Sequence, residues 1–587
     1  MTILPTRRIA VAALLVAAGL TTPAAHAQQA SSLDDLIRQA AARFADSRER
    51  TRLPADSAAD QTPAAGPTVS LTLDQAVQMA LDKNLDIAVQ RLSPQLYDFS
   101  LASLRSVYRP TVTSLVGDQH QTDAPITLLT GGELVTTHTS TINGALRQNL
   151  PWGGGSLDVT WNNDRLLTNS FFYNFNPAYN ATLSAQYTQP LLRGFHADAA
   201  RQQIAVTKVN HAISDLQLQS TITNTVTSVR QAYWDLVLAV ESIDVAQQSV
   251  DLAQRLLEED QKRVESGAMA RLDLVTATSQ VATERHTLVL AEGTRRTSEL
   301  ALKRLLVAGP DDAIWRETID PVERPDDRPL SIDLEASLER ALADRTDLAQ
   351  AKQQVVANSA TLQYLRDQMR PQADLVANYG LAGLGGTQLL RGGGLQGLEA
   401  LTGPVTGVVP GAYGGALSTL VQHDYPTWGV ALNVSYTFGD TAAKAEAARA
   451  RVQANQVVAQ THQLEVQVVT EVTNAAIAAG NAYDEIETAK QARDLAEQKL
   501  DAEQKKFGVG LSTNYLIVQA QKDVADARNA VLHAQIDYQK ALVDFDRAQQ
   551  TTLQSAGVMV ISPAGLALPA IGSGRPAQPA PAGAFIP

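Results

Sequence analysis

The sequence predicts a mainly α-helical protein that carries β-strand inserts and contains the same unit twice. Three observations predict this fold class. Apolar residues recur every seven positions over long stretches, two segments match each other almost without gaps, and the stretches between the helices alternate apolar with polar residues. Seven-residue spacing is typical of helices packed side by side, and two-residue spacing is typical of strands.

The start of the chain has the pattern of a secretory signal peptide over residues 1–27. Arg7 and Arg8 precede an apolar run from Ile9 to Leu20, and Ala25-His26-Ala27 has the small residues of a cleavage site. The apolar run is too short to cross a membrane as a helix. Residues 28–70 are rich in Pro, Ala, Asp and Ser, and we expect them to be mostly disordered.

The first unit covers residues 71–309. Its first helix begins after Thr72, and Gln75 three residues later predicts a capping box. Residues 111–192 form an insert with strand-like alternation, and long helices follow the insert. A linker rich in proline and aspartate, residues 310–330, joins this unit to the second.

The second unit covers residues 331–552 and repeats the same plan, with its β insert at residues 372–438. Arg370-Pro371 lies about 261 residues after Arg109-Pro110, whereas Gly510 lies about 243 residues after Gly267. The offset falls between these points, so the first insert must be longer by about 18 residues. The Pro/Ala-rich residues 553–587 are predicted to be an unstructured tail.

Each unit is predicted to end in a long antiparallel helical hairpin of the coiled-coil type. The seven-residue repeat before the first turn consists of Leu236, Ile243, Val250, Leu257 and Val264, with Ala239, Ala246 and Ala253 between them. Alanine at every second position of the seam lets the helix axes approach closely. The core of an ordinary helical bundle is the alternative, but the duplication and the length of the helices favour hairpins.

The inserts predict strands with one apolar face and one polar face. The first insert has four candidate strands and the second has two. Aromatic residues lie on or near the strand ends, namely Trp161, Tyr187, Trp428, Tyr436 and Phe438. This combination is typical of lipid-facing barrel strands, although half-buried strands of a soluble sheet have the same alternation. Glycine-rich residues 380–415 predict a long surface loop.

The composition argues against several classes of function. A net charge of −13 disfavours nucleic acid as a partner. The absence of cysteine excludes thiol catalysis and cysteine-ligated metal sites. The sequence also lacks the phosphate-binding loop, the zinc-protease helix motif and the serine-hydrolase elbow. We therefore expect no enzyme activity and no cofactor.

Four short motifs together resemble the TolC-like outer-membrane efflux protein family. They are Gln189-Pro-Leu-Leu-Arg-Gly194, Ala232-Tyr-Trp-Asp-Leu236, Arg263-Val-Glu-Ser-Gly267 and Phe507-Gly-Val-Gly-Leu-Ser-Thr513. The resemblance covers about residues 70–552. It implies a homotrimer in the outer membrane of a Gram-negative bacterium, with four strands from each copy in a shared transmembrane β-barrel of 12 strands and with the helices forming a periplasmic tunnel.

The resemblance also implies partners. They are outer-membrane lipid, a periplasmic adaptor (membrane fusion) protein and an inner-membrane pump of the RND or ABC type. The expected function is a passive exit duct for efflux or type I secretion, and the alternative is a soluble periplasmic coiled-coil scaffold or adaptor. The first insert has two strands more than the family pattern. We expect the pair around residues 140–168 to extend the barrel rim, the alternative being a barrel with another strand count.

The family's hairpin turns contact the adaptor, so the resemblance assigns this role to two turns. The corresponding residues are Ser266, Gly267, Ala268 and Met269 in the first turn, and Val509, Gly510, Leu511, Ser512 and Thr513 in the second. Glycine at each tip permits the positive φ of a tight turn, and Leu511 or Met269 offers an apolar contact. Simple turns without a partner are the alternative.

The gate of the tunnel is expected to differ from that of the family. Some members narrow the tunnel with two aspartate rings after the second turn, but Leu516 and Gln519 occupy those positions here. An acidic constriction is therefore not expected at that site. Asp273 holds the matching position in the first unit, and it is a candidate either for a constriction or for a bond between hairpins.

Overall fold

The computed structural model describes residues 67–124, 134–267, 269–392 and 403–557. The first unit contains β1 (Thr68–Leu71), α1 (Leu73–Lys83), α2 (Leu85–Gln90), α3 (Ser93–Ser106), β2 (Thr111–Asp123), β3 (Val135–Asn149), β4 (Ser156–Thr168), β5 (Phe175–Pro190), α4 (Ala199–Glu265) and α5 (Arg271–Leu306). The rest contains β6 (Thr318–Pro321), α6 (Leu334–Asp344), α7 (Thr346–Gln368), β7 (Gln372–Arg391), β8 (Val405–Val409), α8 (Tyr413–Gln422), β9 (Tyr425–Ser435), α9 (Ala442–Gly508), α10 (Asn514–Ala548) and α11 (Thr552–Ser555).

The two helical hairpins confirm the predicted fold class and its internal duplication. Helices α4 and α9 each have 67 residues and are therefore about 100 Å long. On α4 the seam alanines Ala239, Ala246 and Ala253 are buried together with Leu236 and Val250. The remaining large residues of the α4 repeat, Ile243, Leu257 and Val264, are half-buried. Small residues alternating with large ones keep the helix axes close, as the sequence pattern predicts.

A compact core surrounds the middle of α4, where α1, α2, α5 and strands β1 and β6 pack against it. Tyr233 is completely buried there, and its hydroxyl donates to the Leu71 carbonyl at 3.0 Å. The same oxygen accepts from the amides of Val322 and Glu323 at 3.1 and 3.2 Å. Burial raises the pKa of this hydroxyl far above its usual value, so it remains a donor at all physiological pH values.

The linker 310–330 is attached to both hairpins rather than extended between them. Residues Thr318–Pro321 form β6, which pairs in parallel with β1. In the second hairpin, the hydroxyl of Tyr538 donates to the Arg328 carbonyl at 3.0 Å and accepts from the amide of Leu330 at 3.1 Å. A buried tyrosine on each hairpin thus forms hydrogen bonds with backbone groups of the linker. Without these hydroxyls, those groups would need water as their partner.

The ends of two predicted segments differ from the structure. Thr68–Ser70 belong to strand β1, although the sequence assigned them to the disordered residues 28–70. Their partners in β6 lie about 250 residues away, which no local pattern reveals. At the other end, Leu553 of the assigned tail is buried beside α4 in helix α11. The predicted signal peptide, residues 1–27, lies outside the described part of the chain, as do residues 28–66 and 558–587. The predicted capping box of Thr72 and Gln75 is present.

Among the described residues, seven strands form one antiparallel sheet in the order β2-β3-β4-β5-β7-β8, with β9 also paired to β7. Strand β8 pairs only with the far end of β7, at Gln388–Arg391, while β9 pairs with Gln372–Ala382. Strands β3 and β4 are paired on both sides and lie in the middle of the sheet. The expectation that the pair around residues 140–168 extends a rim is therefore wrong.

Towards one end of the strands, one face of the sheet is mostly apolar and the other mostly polar, whereas farther along the first face carries the row Asp118, Ser140 and Arg165. Cross-strand pairing places on one face Val112 and Val116 of β2, Ile142 and Leu146 of β3, Val159 and Trp161 of β4, Leu183 and Tyr187 of β5, Leu375 and Leu381 of β7, and Val430 and Val434 of β9. The opposite face carries Thr113, Asn143, Thr160, Ser184, Asn378 and Asn433. This alternation is the pattern of strands with lipid on one side and water on the other.

The glycine-rich residues 380–415 are not a surface loop, because most of those described belong to β7, β8 and the start of α8. Helix α8 packs on the apolar face of the sheet, and its Ala416 and Leu420 are buried against Ala181 and Leu381. A Cβ atom at Gly383 would lie 2.0 Å from the Ala416 carbonyl oxygen. Glycine is therefore needed on the strand so that the helix backbone can lie against it.

No helix in the described part of the chain is both long and apolar enough to cross a membrane.

Gly383→Val is expected to destabilise the sheet domain, because the added side chain must displace helix α8. Overpacking of this kind costs about 3 kcal/mol or more when backbone atoms are the obstacle. The melting temperature of the detergent-extracted protein measures the effect. Gly414→Val is the matched control, since a Cβ at Gly414 meets no atom within 4 Å. Equal melting temperatures for the two variants would contradict the packing described here.

Candidate functional site

The first hairpin turn follows directly from the C-terminus of α4. The Ser266 amide donates to the Lys262 carbonyl at 3.1 Å, and Gly267 then adopts a φ of +76°. Left-handed backbone of this kind ends many helices and favours glycine. Met269, which the sequence offered as an apolar contact, is half-buried and packs against the other hairpin. Ala268 lies outside the described residues.

The second turn closes α9 with the hydrogen bonds of a Schellman motif. Gly510 has a φ of +79°, and the Leu511 amide donates to the Lys506 carbonyl at 2.8 Å. Ser512 donates from Oγ to Glu503 Oε2 at 2.6 Å, which fixes the chain before α10 begins. Thr513 is the residue before α10, but its side chain makes no capping bond.

Apolar side chains are exposed at both turns, and we call them the tip surface. The tip surface consists of Leu272 and Val275 beside the first turn and Val509, Leu511, Tyr515 and Leu516 at the second. Leu511 is 79% exposed. Full burial of a leucine side chain would contribute about 1.5–3 kcal/mol to stability. Clustered exposed apolar residues of this kind mark contact sites for other molecules.

A small core beneath the tip surface joins the two hairpins. It is formed by Leu256 of α4, by Leu500 and Phe507 of α9, and by Ile517, Ala520 and Val524 of α10, with Met269 packed against it. The Arg263 guanidinium carbon lies 4.1 Å from the centre of the Phe507 ring, a cation–π contact. The two turns therefore form one unit rather than two independent loops.

A buried hydrogen bond also links the hairpins at this level. Asn514 donates from Nδ2 to Asp260 Oδ2 at 2.7 Å, and Asp260 is fully buried. The same amide group lies 3.4 Å from the Asp273 backbone carbonyl. The second oxygens of Asp260 and Asn514, both named Oδ1, are buried and have no partner among the described residues. We call the Asp260–Asn514 pair the tip lock.

The tip lock holds its carboxyl group in an unfavourable environment for a charge. Burial raises the pKa of Asp260 from 3.8 to about 6. The bond from Asn514 and the charge of Arg263 act in the opposite direction, while the charges of Asp273 and Glu259 add to the increase. A buried carboxyl group without a full cationic partner is expected to take up a proton in this range.

The three candidate gate residues lie close to the tip but have different surroundings. Asp273 is half-buried, and the bond that joins it to the second hairpin uses its backbone carbonyl rather than its carboxylate. Leu516 is exposed and belongs to the tip surface. Gln519 donates to Asp523 Oδ1 at 2.8 Å, and Asp523 also pairs with Lys499 at 2.7 Å.

The position of Asp260 in the seven-residue repeat could have indicated the tip lock. Asp260 lies seven residues after Ala253 and so occupies the next small position of the seam. Glu503, about 243 residues later, occupies the same position in the second copy. An acidic residue where alanine is expected indicates a specific polar partner. The identity of that partner, Asn514 for Asp260, depends on how the hairpins pack.

In the ranges that the structure describes, no three histidine, aspartate or glutamate side chains are grouped so that they could hold a metal ion.

Comparison with known sequences decides the family. The profile described as "Outer membrane efflux protein" matches residues 154–307 and 337–549, which together are more than half of the chain. The chain belongs to the outer membrane efflux protein family. This confirms the resemblance noted in the motifs, and it makes the protein an outer-membrane efflux channel rather than an enzyme. Strands β2 and β3 lie outside the matched residues. No curated protein sequence matched the chain.

Solved structures of membrane proteins, two of them described as channels, have the same fold at low sequence identity. CusC is 14% identical with a TM-score of 0.58, and the match covers 81% of this chain and 91% of that one. The Campylobacter jejuni CmeC outer membrane channel is 13% identical with a TM-score of 0.57, covering 82% and 86%. A membrane protein from Pseudomonas aeruginosa is 17% identical with a TM-score of 0.57, covering 81% and 90%.

Asp260→Asn is expected to remove a pH dependence from the tip of the efflux channel. The folded pKa of about 6 exceeds the unfolded value of 3.8, so the native tip binds its proton more tightly. The tip of the wild type therefore gains stability relative to the variant as the pH falls from about 7 to 4, by up to roughly 3 kcal/mol. Hydrogen exchange of the amides in the turns measures this difference. A pH-independent difference would contradict the burial of a titrating group.

Asn514→Ala is expected to loosen the tips, since it leaves the Asp260 carboxylate buried without its donor. The cost of such an orphaned group is about 1–3 kcal/mol. Faster hydrogen exchange should appear in the turns but not in the core around Tyr233. Asn481→Ala, an exposed position on α9, is the control. If both variants exchange alike, the tip lock does not hold the hairpins together.

Proposed function

We propose that this efflux channel is a homotrimeric channel-tunnel and the passive exit duct of a tripartite efflux or type I secretion system. The signal peptide directs the chain to the periplasm of a Gram-negative bacterium. The sheet of each copy then enters the outer membrane, and the hairpins form a periplasmic tunnel. A periplasmic adaptor protein couples the tips to an inner-membrane pump of the RND or ABC type, which supplies the energy.

The exposed tip surface is the observation that carries this proposal. Both hairpins end in apolar residues that the described part of the chain leaves exposed, such as Leu272 and Leu511. The helices that lead to the two turns, α4 and α9, have equal length. Exposing these apolar side chains to water does not stabilise a single chain. The tip lock and the small core nevertheless hold the two turns together. An adaptor that buries these residues explains both the exposure and the tip lock beneath it.

The sheet supports a location in the membrane and disfavours the soluble scaffold. Val112, Trp428, Val430 and Val434 are all more than 60% exposed on one face of β2 and β9. In water this face would be a large apolar patch of the kind that causes aggregation. In a membrane, the same face contacts lipid while the opposite polar face contacts water.

Leu511→Glu is expected to uncouple the duct from its adaptor without affecting assembly. A charge within the tip surface should weaken adaptor binding about tenfold or more. The experiment measures the resistance of the host to a panel of drugs and metal ions, together with the amount and size of the protein in outer membranes. Leu330→Glu is the control, because Leu330 is a leucine of the linker that is also exposed, by 54%.

The proposal predicts that resistance falls only for Leu511→Glu, while both variants reach the outer membrane as trimers. Unchanged resistance for Leu511→Glu would remove the adaptor role of the tip surface. A monomer in the soluble periplasmic fraction would overturn the duct itself and restore the scaffold.

A further inference from the structure

The sheet has two free edges in the described part of the chain. Strand β2 pairs only with β3, and strand β9 pairs only with β7. Nearly every residue of both strands is exposed, in contrast to β4 and β5 between them. Unpaired backbone amides and carbonyls are strongly disfavoured in lipid, so a sheet in a membrane must close on itself or on another copy.

Six strands cross the sheet at the level of Gly429. Following the paired residues from Thr111 leads to Arg147, then Asp158, Gln186, Asn378 and finally Gly429. All neighbours in this row are antiparallel. With an even number of strands, β2 and β9 point in opposite directions. The β9 edge of one copy can therefore continue the antiparallel ladder on the β2 edge of the next.

The stagger of the strands also suits closure. The row that starts at Thr111, the first residue of β2, meets β9 at Gly429, whereas β9 continues six residues further to Ser435. If Ser435 lies opposite Thr111 of the next copy, the register is displaced by six residues across the six strands of one copy. The shear is therefore one residue per strand. The same ratio of shear to strand number occurs in the eight-stranded barrel with shear 8, where the strands tilt by about 36°.

The faces agree with this register. With Ser435 opposite Thr111, Val434 lies opposite Val112 and Val430 lies opposite Val116, all on the apolar face. Thr113 and Asn433 then meet on the polar face. A shift by one residue would move every apolar side chain of one strand to the wrong face.

We infer that β9 of one copy pairs with β2 of the next, and that three copies close a barrel of 18 strands rather than 12. This inference rests on the homotrimer of the proposed function. Six strands per copy follow from the insertion of β3 and β4 between β2 and β5. Barrels of 16–18 strands enclose an aqueous channel, so the duct should be wider where it crosses the membrane than the four-strand pattern implies.

Cysteine pairs test the contact directly, because the natural chain contains no cysteine. The full-length chain carrying both Val112→Cys and Val434→Cys is expressed in bacterial outer membranes, oxidised, and examined on denaturing gels without reductant. Each copy carries both partners, so disulfides should link copies into dimers and trimers that dissociate on reduction. Thr113→Cys with Asn433→Cys repeats the test on the polar face, in case the first pair does not fold.

Val112→Cys with Val430→Cys is the control for register. This pair is displaced by four residues, or about 13 Å along the strand, and should not form a disulfide. A ladder that ends at the trimer for the matched pairs only supports the inference.

Two results would overturn the inference. Trimers of normal size in detergent without a ladder from either matched pair would contradict the β9–β2 contact and leave the proposed function intact. Monomers without a ladder would contradict both. A reconstruction of the extracted trimer adds an independent count, since 12 strands would refute the inference and 18 would support it.

Discussion

Close packing along helix α4 is the interaction on which the rest of the structure depends. The helix is in contact with α5, α7 and α10 along its length, and its middle forms the core around Tyr233. Alanines at the small positions of the seam make this possible, because they let three neighbours approach one helix. The sheet at one end and the tips at the other are therefore connected by a continuous, well-packed rod, and neither end needs a large core of its own.

Much of this arrangement was predictable from the sequence, since heptads and strand alternation are local patterns. The hairpins, the duplication, the turns at Gly267 and Gly510 and the four strands of the first insert all follow from such patterns. Helix α8 was not predicted, because glycines such as Gly383 are typical of loops. In the structure, Gly383 instead lets the backbone of α8 pack closely on strand β7. The pairing of β1 with β6 and the tip lock join residues more than 240 positions apart, and no local pattern encodes such contacts.

The two copies use one equivalent acidic position differently. Asp260 reaches across to the other hairpin, while Glu503 bonds Ser512 within its own turn and pairs with Lys506 at 2.7 Å. The first carboxyl group is buried and the second is held by charge near the surface. One acidic position thus supplies a link between hairpins in one copy and a cap for its own turn in the other, so the two turns present different chemistry to a partner.

The equal length of α4 and α9 limits how this chain can change over evolutionary time. Both helices have 67 residues, although the inserts before them differ in length. One residue added to a single helix would rotate its tip by about 100° and raise it by 1.5 Å relative to its neighbour. It would also break the match of large and small residues at the seam. Insertions and deletions are therefore tolerated in the inserts and linker, whereas the hairpins can lengthen only together and by whole heptads.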